Sequence, residues 1–186
     1  YGQGIESTAT PNRSRFTNAG QVLPALRSRQ VEAGLKHDTA ALAWSLAAFD
    51  IRRPEWADFG ACDVALSCTR RIDGASRHRG LEADAEWRTG PWALRGSLLL
   101  LRARREDSQQ AGLDGLRPTN VPNAAFKAQA AYNVASVPGL ALLGFLSREG
   151  QRMVLPDNSV ATPGWTRWDV AARYATTWAQ HRIVWR

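Results

Sequence analysis

Histidine, cysteine and methionine are scarce in this sequence of 186 residues, which contains only 3 His, 2 Cys and 1 Met. His37, His78 and His181 are scattered along the chain and form no pair at metal-ligand spacing. The sequence also has no phosphate-binding loop, no HExxH and no nucleophile elbow. We therefore predict no catalytic residues, no bound metal and no resident cofactor, and we expect that the chain is not an enzyme.

Long apolar runs are absent as well. No stretch reaches the roughly 18 apolar residues that a transmembrane helix needs, and the leucine block Leu98–Leu101 is far too short. A transmembrane β-strand needs only about 9–11 residues of alternating pattern, so a membrane location stays open. The sequence starts without Met and without signal-peptide architecture, so we expect it to be part of a longer protein.

Positive charge is abundant instead. The formal net charge is +7, the pI is about 10.4, and most of the cationic residues are arginine. Such a balance indicates an anionic partner, which could be nucleic acid, lipopolysaccharide, phospholipid or an acidic small ligand. Composition alone does not choose among them.

Strict two-residue alternation is the main pattern of the sequence. In RHRGLEADAEWRTG, the acids Glu82, Asp84 and Glu86 alternate with an apolar set that includes Leu81 and Trp87. A strand with this spacing has one charged face and one apolar face. The same pattern recurs in QVEAGLKHD, FKAQAAYNV and TRWDVAARYAT.

The alternating segments predict an antiparallel up-and-down meander, because short and long connections follow each other in turn. About nine strands are expected, at 1–6, 28–37, 41–51, 77–88, 91–104, 123–135, 140–149, 164–176 and 181–186. The long polar connections are expected at 7–27, 52–76, 105–122 and 149–163.

A membrane barrel is favoured over a soluble β-sandwich. The predicted strands are about 10–13 residues long, whereas strands of soluble proteins usually have nearer 5–6. Trp87, Trp92, Tyr132 and Tyr174 lie close to the short turns, where an interfacial aromatic girdle is expected. The fold class is thus all-β, a segment of a transmembrane β-barrel.

The order of several short motifs resembles the C-terminal part of the barrel of TonB-dependent outer-membrane receptors, in particular those for ferric siderophores. The matching residues are Arg29, Gln30, Glu32, Gly34 and Lys36, then Phe49, Asp50 and Ile51, then Arg79, Gly80 and Glu82, then Pro118, Asn120 and Pro122. The resemblance covers essentially all 186 residues. It implies a partial barrel that lacks the plug domain, the early strands and the final strand.

The resemblance also implies a function and partners. The whole receptor would import a ferric siderophore across the outer membrane of a Gram-negative bacterium, with energy from the TonB complex. Its partners would be TonB, through the missing N-terminal region, the plug domain, lipopolysaccharide and outer-membrane lipid, and the siderophore itself. No nucleic-acid partner is expected.

Individual side chains can be assigned expected roles in this context. The candidate ligand-binding residues of the loops are Arg52, Arg53, Trp56, Phe59, Arg70, Arg71 and Arg105. Loop solvation or contact with lipopolysaccharide phosphates stays open for any single arginine, and Trp56 and Phe59 could equally pack the loop. Glu82, Asp84 and Glu86 would face the lumen, with Arg95 as their partner on the next strand. Cys62 and Cys68, with five residues between them, are expected to form a loop disulfide, with metal binding or redox chemistry as the alternatives.

Two other functions are compatible with parts of the pattern. A soluble basic β-protein that binds nucleic acid or another polyanion would interleave aromatic and basic residues on one strand face. Here the aromatic residues alternate with the charged ones instead. A small passive barrel of about eight strands, complete in itself, is the other alternative.

Overall fold

The chain forms one long antiparallel meander in a computed structural model that describes residues 1–185. Its strands are β1 (Gly2–Glu6), β2 (Leu26–Asp38), β3 (Leu42–Gly60), β4 (Cys68–Thr89), β5 (Trp92–Glu106), β6 (Ala124–Asn133), β7 (Leu140–Glu149), β8 (Arg152–Met153), β9 (Ala161–Thr162), β10 (Trp165–Trp178) and β11 (His181–Trp185). Nine of them make a single sheet in the order β1-β2-β3-β4-β5-β6-β7-β10-β11, and β8 pairs with β9 separately. The predicted all-β meander is confirmed. No helix in the described residues is long and apolar enough to cross a membrane.

The connections separate onto two ends of the sheet. Residues 39–41, 90–91, 134–139 and 179–180 make the tight-turn end, and residues 7–25, 61–67, 107–123 and 150–164 make the long-loop end. The prediction of a long loop over 52–76 is wrong, because β3 and β4 continue pairing up to Gly60 and Cys68. A bulge lies between the Pro54–Ala75 and Trp56–Ile72 pairs, where two residues of β4 oppose one of β3, and it lets this hairpin bend before the pairing resumes.

The two faces of the sheet differ in chemistry, as the alternation predicts. Residues paired across antiparallel strands share a face, so the register extends each face over the sheet. The outward face, defined by Leu81, carries Leu46, Leu98, Phe126 and other apolar residues in matching rows. The inward face, defined by Glu82, Asp84 and Glu86, carries Ser45, Ser97, Lys127 and Arg167 in its rows.

The apolar side chains of the outward face remain uncovered within the chain. Val170 is 89% exposed and Leu35 68% exposed, which is unfavourable in water. The row Ala33, Ala48, Leu81 and Leu100 is the last apolar row towards the long-loop end. We call the outward residues from this row to the tight turns the apolar band.

Aromatic residues border the apolar band at the tight-turn end. Trp87 and Trp92 flank the turn at 90–91, and the rings of Trp92 and Tyr132 lie 4.6 Å apart across β5 and β6. Tyr174 shares the outward face on β10. This arrangement matches the interfacial girdle that the sequence predicts.

Most of the buried residues lie at the long-loop end of the sheet and not along its two faces. Phe16 is fully buried, and the guanidinium groups of Arg15 and Arg70 lie 4.8 and 5.1 Å from the centre of its ring. Asp73 is also buried and accepts hydrogen bonds from Ser108 Oγ (2.7 Å) and the Gln109 amide (2.6 Å). These contacts fold the long connections back against the strand ends.

A candidate ligand-binding cavity at the long-loop end

A cavity of about 600 Å³ lies where β3, β4 and β5 meet the long loops. Its lining includes Arg53, Glu55, Trp56, Asp58, Arg70, His78, Arg105, Gln110, Pro118, Thr119 and Pro156. The volume falls in the range of small-molecule sites. Four of the seven predicted ligand-binding residues therefore line one cavity: Arg53, Trp56, Arg70 and Arg105.

The arginines of the cavity are already paired with carboxylates. Arg70 makes a bidentate contact to Asp58, at 2.6 Å from Nε and 2.9 Å from Nη2. Arg105 lies 3.6 Å from Glu55, and Arg53 lies 2.5 Å from Glu6 of β1. The cavity is thus close to electrically balanced and binds through oriented polar groups rather than through surplus charge.

Carboxylate partners of this kind were not expected from the sequence. Glu55 and Asp58 lie in a segment that reads as a loop, and only the continued β3–β4 pairing places them against the arginines. The signal that could have found them is local: both acids lie between the arginine pairs at 52–53 and 70–71.

Trp56 and His78 both line the cavity and carry polar ring atoms. The Trp56 Nε1 atom is buried and has no hydrogen-bond partner among residues 1–185, which costs free energy unless another group accepts a hydrogen bond from it. Burial lowers the pKa of His78, which lies beyond the apolar band, and nearby Arg53 lowers it further while Glu55 raises it. The His78 imidazole is therefore neutral at pH 7 and contacts Ser76 Oγ at 2.9 Å.

The remaining predicted ligand-binding residues lie elsewhere. Arg52 precedes Arg53 on the strand, lies on the outward face and contacts Asp107 at 2.7 Å. Arg71 lies over the ring of Phe59 at 4.1 Å and donates a hydrogen bond to Gln109. Neither Arg71 nor Phe59 lines the cavity.

Two long loops close the cavity from the side and hold each other in place. The Arg117 amide donates to Asn158 Oδ1 at 2.8 Å, and Asn158 Nδ2 returns a bond to the Arg117 carbonyl at 2.9 Å. Thr119 pairs with Met153 of β8. The predicted 149–163 loop is therefore partly ordered by the β8–β9 pair, which the sequence pattern did not indicate.

The structure joins Cys62 and Cys68 in a disulfide with a Cα–Cα distance of 4.6 Å. The bridge closes the 61–67 connection at the tip of the β3–β4 hairpin. Cys68 also pairs with Phe16 and accepts a hydrogen bond from the Thr17 amide at 2.8 Å. The backbone of Cys68 thus holds the 7–25 connection against the hairpin, next to the disulfide.

A second concavity of about 500 Å³ lies against the inward face. It is lined by Lys36, Ser45, Asp84, Glu86, Arg95, Lys127 and Gln129, among others. Arg95 contacts Glu86 at 2.9 Å, and Glu86 also pairs with Arg88. Glu82 shares the same face but has no ion-pair partner within the described part of the chain.

Metal binding by the protein itself has no geometric basis in residues 1–185. No group of three or more His, Cys, Asp and Glu side chains in that range is placed to hold an ion.

Comparison with known proteins identifies a family for this chain. The family model described as "TonB dependent receptor-like, beta-barrel" matches residues 1–183. The ferrichrome receptor FcuA of Yersinia enterocolitica is 28% identical over 193 residues, covering 100% of this chain and 24% of that protein.

Solved structures give the same result. The ferric preacinetobactin receptor BauA of Acinetobacter baumannii superposes with a TM-score of 0.78 at 26% identity, over 98% of this chain and 27% of that one. The ferric yersiniabactin uptake receptor FyuA of Yersinia pestis has a TM-score of 0.73 at 19% identity, over 92% and 26%, and supports the fold alone. The chain spans about a quarter of the length of these relatives.

Proposed function

The chain belongs to the β-barrel family of TonB-dependent receptors, and we propose that it is the C-terminal part of a barrel that imports a ferric siderophore with energy from TonB. Barrels of this family lie in the outer membrane of Gram-negative bacteria, which is where this chain is located. Family members are receptors and transporters rather than enzymes. For this chain we propose that the iron chelate is cargo, with no catalysis and no resident cofactor.

The observation that carries this function is the polar cavity at the long-loop end. In outer-membrane barrels the longer loops are extracellular, so the cavity would open towards arriving ligand. Its lining combines three oriented guanidinium groups with the Trp56 side chain, whose Nε1–H is buried without a partner among residues 1–185. These features suit a chelate with several oxygen atoms on its surface.

We propose that the inward face contacts the plug domain of the same receptor, through which TonB would act. The concavity beside Asp84, Glu86 and Arg95 is lined by both acidic and basic side chains. Placing such a surface against lipid would cost free energy, because its polar groups would lose their hydrogen bonds to water. The same groups are suited to hydrogen bonding with another polar domain. The outward face would contact outer-membrane lipid, including lipopolysaccharide.

The first test concerns the gene around this chain. We expect the flanking coding DNA to encode a signal peptide and plug domain upstream, and a closing strand with a terminal aromatic residue downstream. A start codon directly before Tyr1 and a stop codon directly after Arg186 would contradict the proposal that this is part of a receptor.

Replacing Trp56, whose Nε1–H has no hydrogen-bond partner among residues 1–185, tests whether the cavity binds the ligand. Trp56→Phe in the full receptor removes the Nε1–H while keeping a ring, so we expect binding of a ferric siderophore to weaken by about 3- to 10-fold, the value of one hydrogen bond. Binding is measured on the purified receptor with a panel of ferric chelates that includes ferrichrome, and uptake is measured with radioactive iron in iron-starved cells.

The matched control is Trp168→Phe, which changes an exposed outward tryptophan far from the cavity. We expect this variant to bind and transport as the unmodified receptor does. Equal affinities for Trp56→Phe and the unmodified receptor would contradict the assignment of Trp56 to the ligand site. A receptor that imports no ferric chelate from the panel would contradict the proposed function itself.

A further inference from the structure

Two carboxylates of β3 occupy guanidinium groups of the cavity at the long-loop end. Asp58 lies directly opposite Arg70 in the β3–β4 register, and the two side chains make a bidentate contact. Arg105 lies 3.6 Å from Glu55 in the same lining. Asp58 and Glu55 therefore fill positions at which an anionic ligand could otherwise bind these arginines.

The side chains of both pairs are largely shielded from solvent. The Arg105 side chain is only 10% exposed and that of Glu55 24%, and the Arg70 and Asp58 side chains are each 26% exposed. Water and salt screen such charges much less than they screen fully exposed ones. The two pairs therefore determine the local charge that a ligand meets on this wall of the cavity.

The other ionisable groups around the cavity leave little surplus charge. Arg53, which also lines the cavity, contacts Glu6 at 2.5 Å. His78 is neutral at pH 7, because burial lowers its pKa. Arg15 lies 3.9 Å from Asp58 and adds its charge from outside the lining. The three arginines of the lining are thus matched by three carboxylates.

An anionic chelate would meet this wall unfavourably. To engage the planar fork of Arg70, an oxygen anion of the chelate would have to displace Asp58. The displaced carboxylate would then lie half-buried, unpaired and close to a second anion, which is strongly unfavourable. The same argument applies to Glu55 beside Arg105, the less exposed of the two pairs.

The uncharged part of the lining suits amide and alkyl groups of a ligand. A guanidinium group keeps hydrogen-bond donors free after one bidentate contact, so an uncharged oxygen can accept from it without displacing the carboxylate. The uncharged lining residues are Trp56, Pro118, Val121, Pro156, Gln110 and Thr119. Such a mixture of apolar surface and few polar groups is typical of small-molecule sites.

We propose that Glu55 and Asp58 are specificity-determining residues that make the cavity select a ferric chelate without net charge against anionic chelates. This inference rests on the proposed function, because it assigns a charge class to the chelate that the receptor would import. The selection depends on the carboxylates of β3 and not on the number of arginines around the cavity.

The first measurement is made on the unmodified full receptor with four ferric chelates. Ferrichrome and ferric coprogen have no net charge, whereas ferrichrome A, whose acyl arms end in carboxylates, and ferric enterobactin are anionic. We expect the tightest binder to be uncharged and to bind at least about tenfold more tightly than either anionic chelate. Tightest binding of an anionic chelate would overturn the proposal. Binding to the purified receptor is measured by equilibrium dialysis with radioactive iron.

The double variant E55Q/D58N tests the two residues directly. It removes both carboxylates with little change in shape and leaves Arg70 and Arg105 free to bind an anion. We expect the affinity for ferrichrome A, relative to that for the tightest uncharged chelate, to rise about tenfold or more. Because this readout is a ratio within one preparation, partial loss of folded receptor does not change it. The single variants E55Q and D58N, measured in the same way, should each give part of the rise.

The matched control is E106Q/D107N, which also removes one Glu and one Asp carboxylate. Glu106 and Asp107 contact Arg52 at 3.9 and 2.7 Å, and neither of them lines the cavity. We expect the same affinity ratio as in the unmodified receptor. An equal rise of the ratio in this control would overturn the proposal, and so would an unchanged ratio in E55Q/D58N.

Uptake of radioactive iron from the same four chelates separates this inference from the proposed function. Import of ferrichrome A or ferric enterobactin in preference to the uncharged chelates would overturn charge selection and support the transport function. Import of none of the chelates would contradict the transport function itself.

Discussion

At the scale of single residues, adjacent positions serve opposite sides of the barrel. Arg52 lies on the outward face and contacts Asp107, whereas Arg53 lines the cavity and contacts Glu6. The Arg70–Asp58 contact is bidentate and raises the pKa of Arg70, so its charge persists at any pH that the protein meets. Replacing one partner would leave the other unpaired in a half-buried site, which costs more than the pair contributes.

Glycine is required where the bulge of β4 meets the start of the loop after β5. Gly74 has φ +61°, and a Cβ atom there would lie 2.3 Å from the Glu106 carbonyl oxygen. We expect Gly74→Ala in the full receptor to lower the free energy of unfolding by about 1 kcal/mol for the left-handed backbone, and further for the clash. The measurement is the urea midpoint of the folded barrel in vesicles.

Gly90→Ala is the matched control for this prediction. Gly90 also has a positive φ, +51°, but a Cβ atom there meets nothing within 4 Å. The difference between the two variants therefore isolates the steric term. Equal midpoints would show that the backbone around Gly74 relaxes and that the close approach is not restrictive.

At the scale of elements, β3 and β4 are the longest strands and organise the long-loop end. Their pairing extends to Gly60 and Cys68, where the Cys62–Cys68 disulfide closes the tip. The bulge next to Pro54 interrupts the two-residue alternation of side chains. The residues between the bulge and the tip of the hairpin therefore contact the long loops and do not extend the outward and inward faces of the sheet. The ligand cavity forms at this change of direction.

Neighbouring leucines on β5 test the assignment of faces. Leu98 lies on the outward face beside Ala83 and Phe126, and Leu99 lies on the inward face beside Glu82. We expect Leu98→Arg in the full receptor to destabilise the barrel by about 1–3 kcal/mol, because a lipid-facing arginine is poorly solvated and Leu98 lies one row inside the border of the apolar band, between the interface and the middle of the bilayer. Leu99→Arg should cost much less, since its side chain is on the polar face near a carboxylate.

The measurement for this pair is the urea midpoint in vesicles, together with the gel-mobility shift of the folded barrel on heating. Comparable losses in both variants would contradict the assignment of Leu98 to lipid and Leu99 to the lumen.

At the scale of the whole molecule, the sheet formed by residues 1–185 is long but does not close on itself. The strand order runs from β1 to β11, and these two edge strands are not paired with each other. Unpaired backbone groups at such edges are unfavourable in lipid, where no water can satisfy them. The outward apolar band is equally unfavourable in water.

The chain produced alone should therefore aggregate in the absence of detergent and should show no heat-dependent gel-mobility shift after refolding into vesicles. The full receptor refolded in parallel is the control and should show that shift. A monodisperse, folded monomer of the isolated chain in detergent-free buffer would contradict the barrel-wall assignment.

The strands and faces were predictable from the sequence, because a period of two residues assigns each side chain of a strand to one face without tertiary information. Glu82, Asp84 and Glu86 share the inward face and Leu81 and Trp87 the outward face, as their alternation predicts. The tight turns and the order of motifs likewise predicted the meander and the family.

Only the tertiary structure decided which loop residues meet. Arg53, Trp56, Arg70 and Arg105 line one cavity because the β3–β4 register and the bulge at Pro54 bring distant positions together. The contact of Asp58 with Arg70 depends in the same way on the β3–β4 register, which places the two residues opposite each other. Register is a property of pairing between strands, so alternation within one strand determines the face of a residue but never its neighbour on the next strand.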